Sequence, residues 1–284
     1  MRRLILRNLR VYFRDRLSVF FSLLSVIITY LMYLLFLGDV WSNGVPDVEG
    51  ARAMMGSWIM AGLLTIASVT TTLSAASTMV DDLANKIRKD FEASPISRAA
   101  LAGSYMLSSF LVGAAMTLIG LVLAEAYIVY NGGELLSLFA LLKLTGVILL
   151  STLSSTAFFI FLFTFLKTNA AVGTVSTLAG TLIGFLTGIY IPIGELPEAV
   201  QGVVKALPVS HAAVLMRQIM MEKPLATVFA GAPQEVVNEV LEEFGLRFSV
   251  NGSVLPAYIS VLILAATAAV FFGLSAWRMT KKQK

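Results

Sequence analysis

The chain has 284 residues, of which 57% are hydrophobic and only 13% charged, with a formal net charge of +4. A water-soluble domain carries about 25% charged residues, so most of these side chains face lipid or one another. The absence of cysteine and the single histidine, His211, exclude a disulfide framework, a cysteine nucleophile and a multi-histidine metal site within one chain.

Residues 1–16 predict an interfacial helix. Arg3, Arg7, Arg10 and Arg14 recur at spacings of 4, 3 and 4 and share one helical face, with Ile5, Leu6, Leu9 and Phe13 on the opposite side. Such a helix lies at the membrane surface, its arginines toward phosphates. The apolar run that follows is too long for the core of a cleavable signal peptide.

Six stretches then lack any Asp, Glu, Lys or Arg: 17–38, 53–80, 99–124, 144–166, 168–194 and 248–277. Each has the roughly 20 residues a helix needs to cross the hydrocarbon, and backbone inside lipid must satisfy its own hydrogen bonds. The expectation is an all-α polytopic membrane protein with six spans and one transmembrane domain over 1–284. Lys167-Thr168-Asn169 alone separates spans four and five, which forces an antiparallel pair. With both termini inside, the inner segments carry 15 basic against 5 acidic residues, net +10, and the remainder 6 against 12, net −6. That is the positive-inside arrangement.

Two connections are long. Residues 81–98 predict a cytoplasmic loop with a short helix over 81–91, its apolar stripe at Leu83, Ile87 and Phe91, broken by Ser94-Pro95. Residues 191–251, punctuated by five prolines, predict short amphipathic helices lying on the outer leaflet, too small for a core of their own.

Catalytic motifs are missing. There is no phosphate-binding G-x-x-x-x-G-K-[ST], no H-E-x-x-H and no G-x-S-x-G. The run Ser151 to Ser155 fits close helix packing in lipid. Glu125 in span three and Lys143 in span four are ionisable residues within spans, and so form a candidate polar site. The competing reading has them at interface depth, snorkelling or paired across the Asn131-Gly132-Gly133 turn.

Six spans, a basic amphipathic N-terminal helix and a charged loop after span two resemble the membrane subunit of ABC-2-type transporters, the type-2 ABC exporter permeases. Phe91-Glu92-Ala93-Ser94-Pro95-Ile96-Ser97-Arg98 is similar to that family's L-x-A-S-P-[IV]-S-R stretch. Gly188-Ile189-Tyr190-Ile191-Pro192, then Leu196-Pro197, Leu207-Pro208 and Arg217 match its pattern of a glycine at a span end, proline, L-P, a short helix, and a proline before an arginine-bearing helix.

The resemblance implies a permease that pairs with a second permease chain, identical or not, and with two copies of a separate ABC ATPase. This chain would then bind no cofactor, ATP being held by the partner, and no nucleic acid. It implies a bacterial or archaeal cell membrane, both termini cytoplasmic. Leu83, Ile87, Phe91, Glu92, Ser94 and Pro95 would form the ATPase-coupling element, and Gly188, Pro192, Pro197 and Pro208 an outer gate or re-entrant region. Spans rich in Leu, Phe and Met suit a drug, lipid or peptide moving outward. Alternatives are a secondary transporter, which would require midplane charges and inverted repeats, an ABC importer permease, and a non-transporting scaffold or sensor subunit.

Overall fold

A computed structural model describes residues 1–17, 19–20, 50–250 and 253–280. The expected first span, 17–38, lies almost wholly outside the described residues. Five long apolar helices account for the other five: α2 (Ala51–Ala84), α4 (Arg98–Tyr130), α5 (Leu138–Phe163), α6 (Asn169–Leu186) and α11 (Ala257–Thr280). They are joined by α1 (Arg2–Arg14), α3 (Ile87–Glu92), α7 (Glu198–Ala206), α8 (Pro208–Met220), α9 (Glu222–Val228) and α10 (Gln234–Glu243). A two-residue antiparallel ladder, Ser249–Val250 against Ser253–Val254, precedes α11.

α2 is the axis of the bundle. It is buried nearly all round, against α4, α5, α6 and α8. Its sequence permits this, because small and hydroxyl residues line it from Gly56 to Thr78 and let neighbouring backbones approach. Most of its hydroxyls also return a hydrogen bond to their own helix, as Thr65 does to the Ala61 carbonyl at 3.0 Å and Thr72 to the Ser68 carbonyl at 2.6 Å. Ser68 and Ser151 join α2 to α5 through a 2.8 Å hydroxyl pair, so the serine run of span four serves helix packing. α6 is the opposite case. Apart from Val172, Ile183 and Gly184 it buries little, and it turns Leu178, Leu182 and Phe185 outward.

Two expectations need correction. The helix expected over 81–91 is divided: α2 runs on through Leu83 to Ala84, and α3 starts at Ile87. The break is at Lys86, whose φ of 62° is left-handed, so the ladder cannot continue through it. Further on, 191–251 does form short helices, but α8 does not lie at a surface. It packs between α2, α5 and α11 with every residue from Ser210 to Arg217 buried. The reason is compositional: Pro208-Val-Ser-His-Ala-Ala-Val-Leu-Met is apolar or small apart from His211, whose two ring nitrogens both find partners inside the protein.

Candidate functional site

The end of the bundle that bears the basic excess is organised by Asp82, which is 2% exposed. Arg7 of α1 reaches Asp82 with both terminal nitrogens: Nη1 binds Oδ2 and Nη2 donates to Oδ1 at 2.7 Å. The Tyr105 hydroxyl of α4 donates to Oδ2 at 2.6 Å. This carboxylate holds the Arg7 guanidinium above its ordinary pKa, chiefly through the hydrogen bond. The same guanidinium lies 5.5 Å from the ring centroid of Phe91 in α3. Four segments, α1, α2, α3 and α4, thus meet at one ion pair. Beside it Asn8 donates to Ser108 at 3.2 Å.

α1 therefore has three faces. Arginines take one and Leu6 and Phe13 are exposed on another. The third, with Leu4, Asn8 and Tyr12 buried at i, i+4 and i+8, docks on α4. The sequence reading had two of these faces; the docking face is half polar and gave no apolar stripe.

The residues expected to couple an ATPase are placed as follows. Leu83 and Ile87 are half-buried. Phe91 is half-buried as well, and packs with Ile96 on the core formed by Met79, Leu101 and Tyr105. Glu92 closes α3, and the Ser94 hydroxyl donates to the Phe91 carbonyl at 2.8 Å. Pro95 is exposed, and Ser97 caps α4 by accepting from Ala100 N–H at 3.2 Å. Phe91 thus faces the chain's own span ends, Leu83 lines a cavity among them, and Lys89, Asp90, Ala93 and Pro95 are exposed.

At the other end the chain folds back. α7 and α8 meet at Leu207 with a bend of 87°. Pro197 stands just before α7 and Pro208 at the first position of α8, where a missing N–H costs nothing. Pro192 precedes a single 3₁₀ turn, Ile193–Glu195. His211, fully buried, locks the elbow. Its Nε2–H donates to the Lys205 carbonyl at 2.9 Å, which leaves Nδ1 of the neutral ring to accept from the Ser260 hydroxyl of α11 at 2.9 Å.

Deeper in α8 lies Arg217, 0% exposed. Its guanidinium rests on the Trp58 ring, 4.5 Å from the centroid, and none of its three nitrogens has a hydrogen-bond partner among the described residues. Trp58 is itself pinned, its Nε1–H donating to the Phe244 carbonyl at 2.8 Å. Three glycines make room, Gly62, Gly188 and Gly245, the last with φ +65° and a Cβ position 3.1 Å from Nη1. A Cβ on Gly62 would stand 3.4 Å from Nη2 and 2.5 Å from Ile189. Gly188 adopts φ +69°, which side chains resist, and its Cβ would meet Nη1 at 3.4 Å and Ile193 at 2.6 Å. Sequence reasoning named Arg217 only as part of a pattern; a lone cation inside an apolar helix was the signal that marks it as a site.

Glu125 and Lys143 are not brought together. Glu125 is buried and Oε2 accepts the Leu136 N–H at 3.0 Å, tying the end of α4 to the connection into α5. Lys143 is exposed and lies over the Phe139 ring at 4.3 Å. Glu125→Gln, which keeps an acceptor for Leu136, is expected to leave folding and transport unchanged. Glu125→Leu strands that N–H and is expected to cost about 1–3 kcal/mol, read as a fall in the detergent melting temperature. Loss of transport in the Gln variant alone would place Glu125 on a substrate path.

Between α5, α6, α8 and α11 opens a cavity of about 390 Å³, walled by Phe158, Phe159, Leu178, Leu182, Pro208 and Leu264, with Ser151, Ser154 and Thr267 at its polar margin.

A bundle of long apolar helices with a folded-back helical pair defines a polytopic membrane protein of the permease type. The family model described as ABC-2 family transporter protein matches residues 48–277, and the chain belongs to that family. No curated protein matches it.

Proposed function

We propose that this chain is the membrane subunit of an ATP-driven exporter, energised by two copies of a separate ABC ATPase and paired with a second permease chain. The observation that carries the reading is the junction at Arg7, Asp82, Tyr105 and Phe91. A short helix with charged residues outward and its apolar side fixed to three other helices can pass a push from a docked partner into the bundle. The motion would reach the far end through α2, which touches α8 as well. Hydrolysis belongs to the partner; this chain carries no phosphate-binding loop. The excess of basic residues supports a cytoplasmic position for α3 and both termini. The outward apolar side chains of α6 support that helix as the contact with the second permease.

The substrate class is hydrophobic or amphipathic, moved outward. The 390 Å³ cavity supports it, since its walls are apolar and it opens between helices rather than into a polar loop region.

The docking face is Lys89, Asp90, Ala93 and Pro95 rather than the stripe. Purified ATPase added to inside-out membrane vesicles is expected to bind the native chain, and to lose binding on the order of tenfold or more with Lys89→Glu plus Asp90→Lys. Right-side-out vesicles should not bind it. Unchanged binding in the double variant, with ATP hydrolysis still stimulated by amphiphiles in proteoliposomes, would remove this face from the interface. A chain that binds the ATPase but shows no stimulation by any amphiphile would favour the scaffold reading.

A further inference from the structure

At the end of the bundle that bears the basic excess, α2, α5 and α11 all terminate around a second cavity, of about 310 Å³. Three cations line it, each from a different segment: Lys86 after α2, Lys167 in the turn between α5 and α6, and Arg278 in the last turn of α11. Its walls are apolar, with Met79, Phe163 and Met279 among them, and among the described residues no carboxylate lines it. Of the acids near Lys86 in sequence, Asp82 is engaged by Arg7 and Tyr105 and Asp81 by Ser77, while Asp90 is exposed on α3 and does not line the cavity.

Cations at helix C-termini ordinarily answer the helix dipole and the last free carbonyls. Arg278 does stand in the last turn of α11, but among the described residues no side-chain hydrogen bond or ion pair engages any of the three. Arg278 is held instead by the Phe165 ring, 3.8 Å from its centroid, and its Nε is buried without a partner. Lys86 is placed at the rim by a left-handed backbone that lysine does not favour. The arrangement is cationic at the rim and apolar on the walls, at the surface of a membrane.

We propose that this cavity binds a phosphate group, and that the group is the headgroup of an anionic phospholipid from the adjacent leaflet. Basic pockets between spans at the cytoplasmic surface recognise such headgroups. The three cations take the phosphate, and Met79, Phe163 and Met279 take the glycerol and first acyl carbons. The site goes beyond the transport reading and stands without it: a lipid here wedges three helix ends beside α3.

The test compares the native chain with a triple variant, Lys86→Asn, Lys167→Gln and Arg278→Gln; asparagine tolerates the left-handed backbone. Both are purified in full length and placed in nanodiscs of phosphatidylcholine alone, of phosphatidylcholine with phosphatidylglycerol, and of phosphatidylcholine with added inorganic phosphate or glycerol 3-phosphate. Thermal stability and the lipids retained by mass spectrometry are read. The expected result is retention and stabilisation by phosphatidylglycerol in the native chain, weakened on the order of fivefold for each cation removed. Equal stability of the two proteins in phosphatidylcholine alone shows that the variant folds. Stabilisation by the soluble phosphates but not by phosphatidylglycerol would overturn the lipid source and leave a phosphate site. Equal retention of phosphatidylglycerol by both proteins would overturn the site itself. If the triple variant fails to fold, Arg278→Gln alone is carried through the same series.

Discussion

Arg217→Met is expected to raise the thermal stability of the protein and to abolish coupled transport. The guanidinium is 0% exposed, with three nitrogens unpartnered among the described residues. Removing such a charge from water costs several kcal/mol. The contact with Trp58 returns about 2 kcal/mol, the upper range for a desolvated cation–π pair. Among the described residues the contact with Trp58 offsets only part of that cost. Methionine fills a similar volume, suits the same helix and buries no charge. Replacement of a buried charge by an apolar residue of like size stabilises by about 1–4 kcal/mol where the charge is poorly compensated. A melting temperature measured in detergent should therefore rise, while ATP hydrolysis stimulated by substrate, in a complex with the ATPase, should fall to the basal level. A charge buried where α8 crosses α2 is expected to serve another state of the cycle, and the loss of coupling is the test of that expectation. A lower melting temperature for Arg217→Met would show instead that the arginine is structural. Arg217→Lys separates charge from shape: a lysine head cannot lie flat on Trp58, and it should lose stability without restoring transport.

How much of this was legible beforehand differs by element. Long uncharged runs can only be helices in lipid, so spans two to six were readable to within a few residues at most ends. The exceptions have physical causes: α4 runs past Glu125 to Tyr130 and α5 starts ahead of Lys143 at Leu138, because an ionisable side chain does not end a helix. Span five was read to 194 because 187–194 is uncharged, yet α6 stops at Leu186 and a left-handed Gly188 turns the chain. The last span was read from 248, but Pro256 and the small ladder delay α11 until Ala257. α8 falls within the stretch 191–251, whose prolines and polar neighbours read as an outer connection, whereas its own residues from Pro208 to Met216 are apolar or small apart from His211. The prolines did mark the folded-back region, since Pro197 and Pro208 begin the two arms of the elbow. What the sequence could not carry was pairing. Nothing in the spacing of Arg7, Asp82 and Tyr105, which are separated by 75 and 23 residues, connects them. Such contacts arise from helix packing, which a single sequence does not encode as a local pattern.

The second large effect is expected at Asp82. This carboxylate accepts from Arg7 twice and from Tyr105 once, so Asp82→Ala removes three hydrogen bonds and leaves both donors facing a cavity. Breaking a buried pair by deleting one partner costs about 3–5 kcal/mol; Arg7, whose side chain is 30% exposed, rehydrates in part and brings the figure toward the lower end. Asp82→Asn retains an acceptor for Tyr105 but loses the charge that holds Arg7. Its expected phenotype is the more telling: a folded permease that still binds the ATPase on the outward face of α3, yet hydrolyses ATP at a rate indifferent to substrate. α1 should loosen with it, read as faster hydrogen exchange over residues 2–14. The double variant Arg7→Met with Asp82→Asn supplies the control. If the pair is the mechanical link, the two changes together cost less than their sum, by about 0.5–3 kcal/mol, because each alone already breaks the same contact. Strictly additive effects, or a substrate-responsive Asp82→Asn complex, would mean that motion enters the bundle by another route, and the reading of this junction as the transmission point would fall.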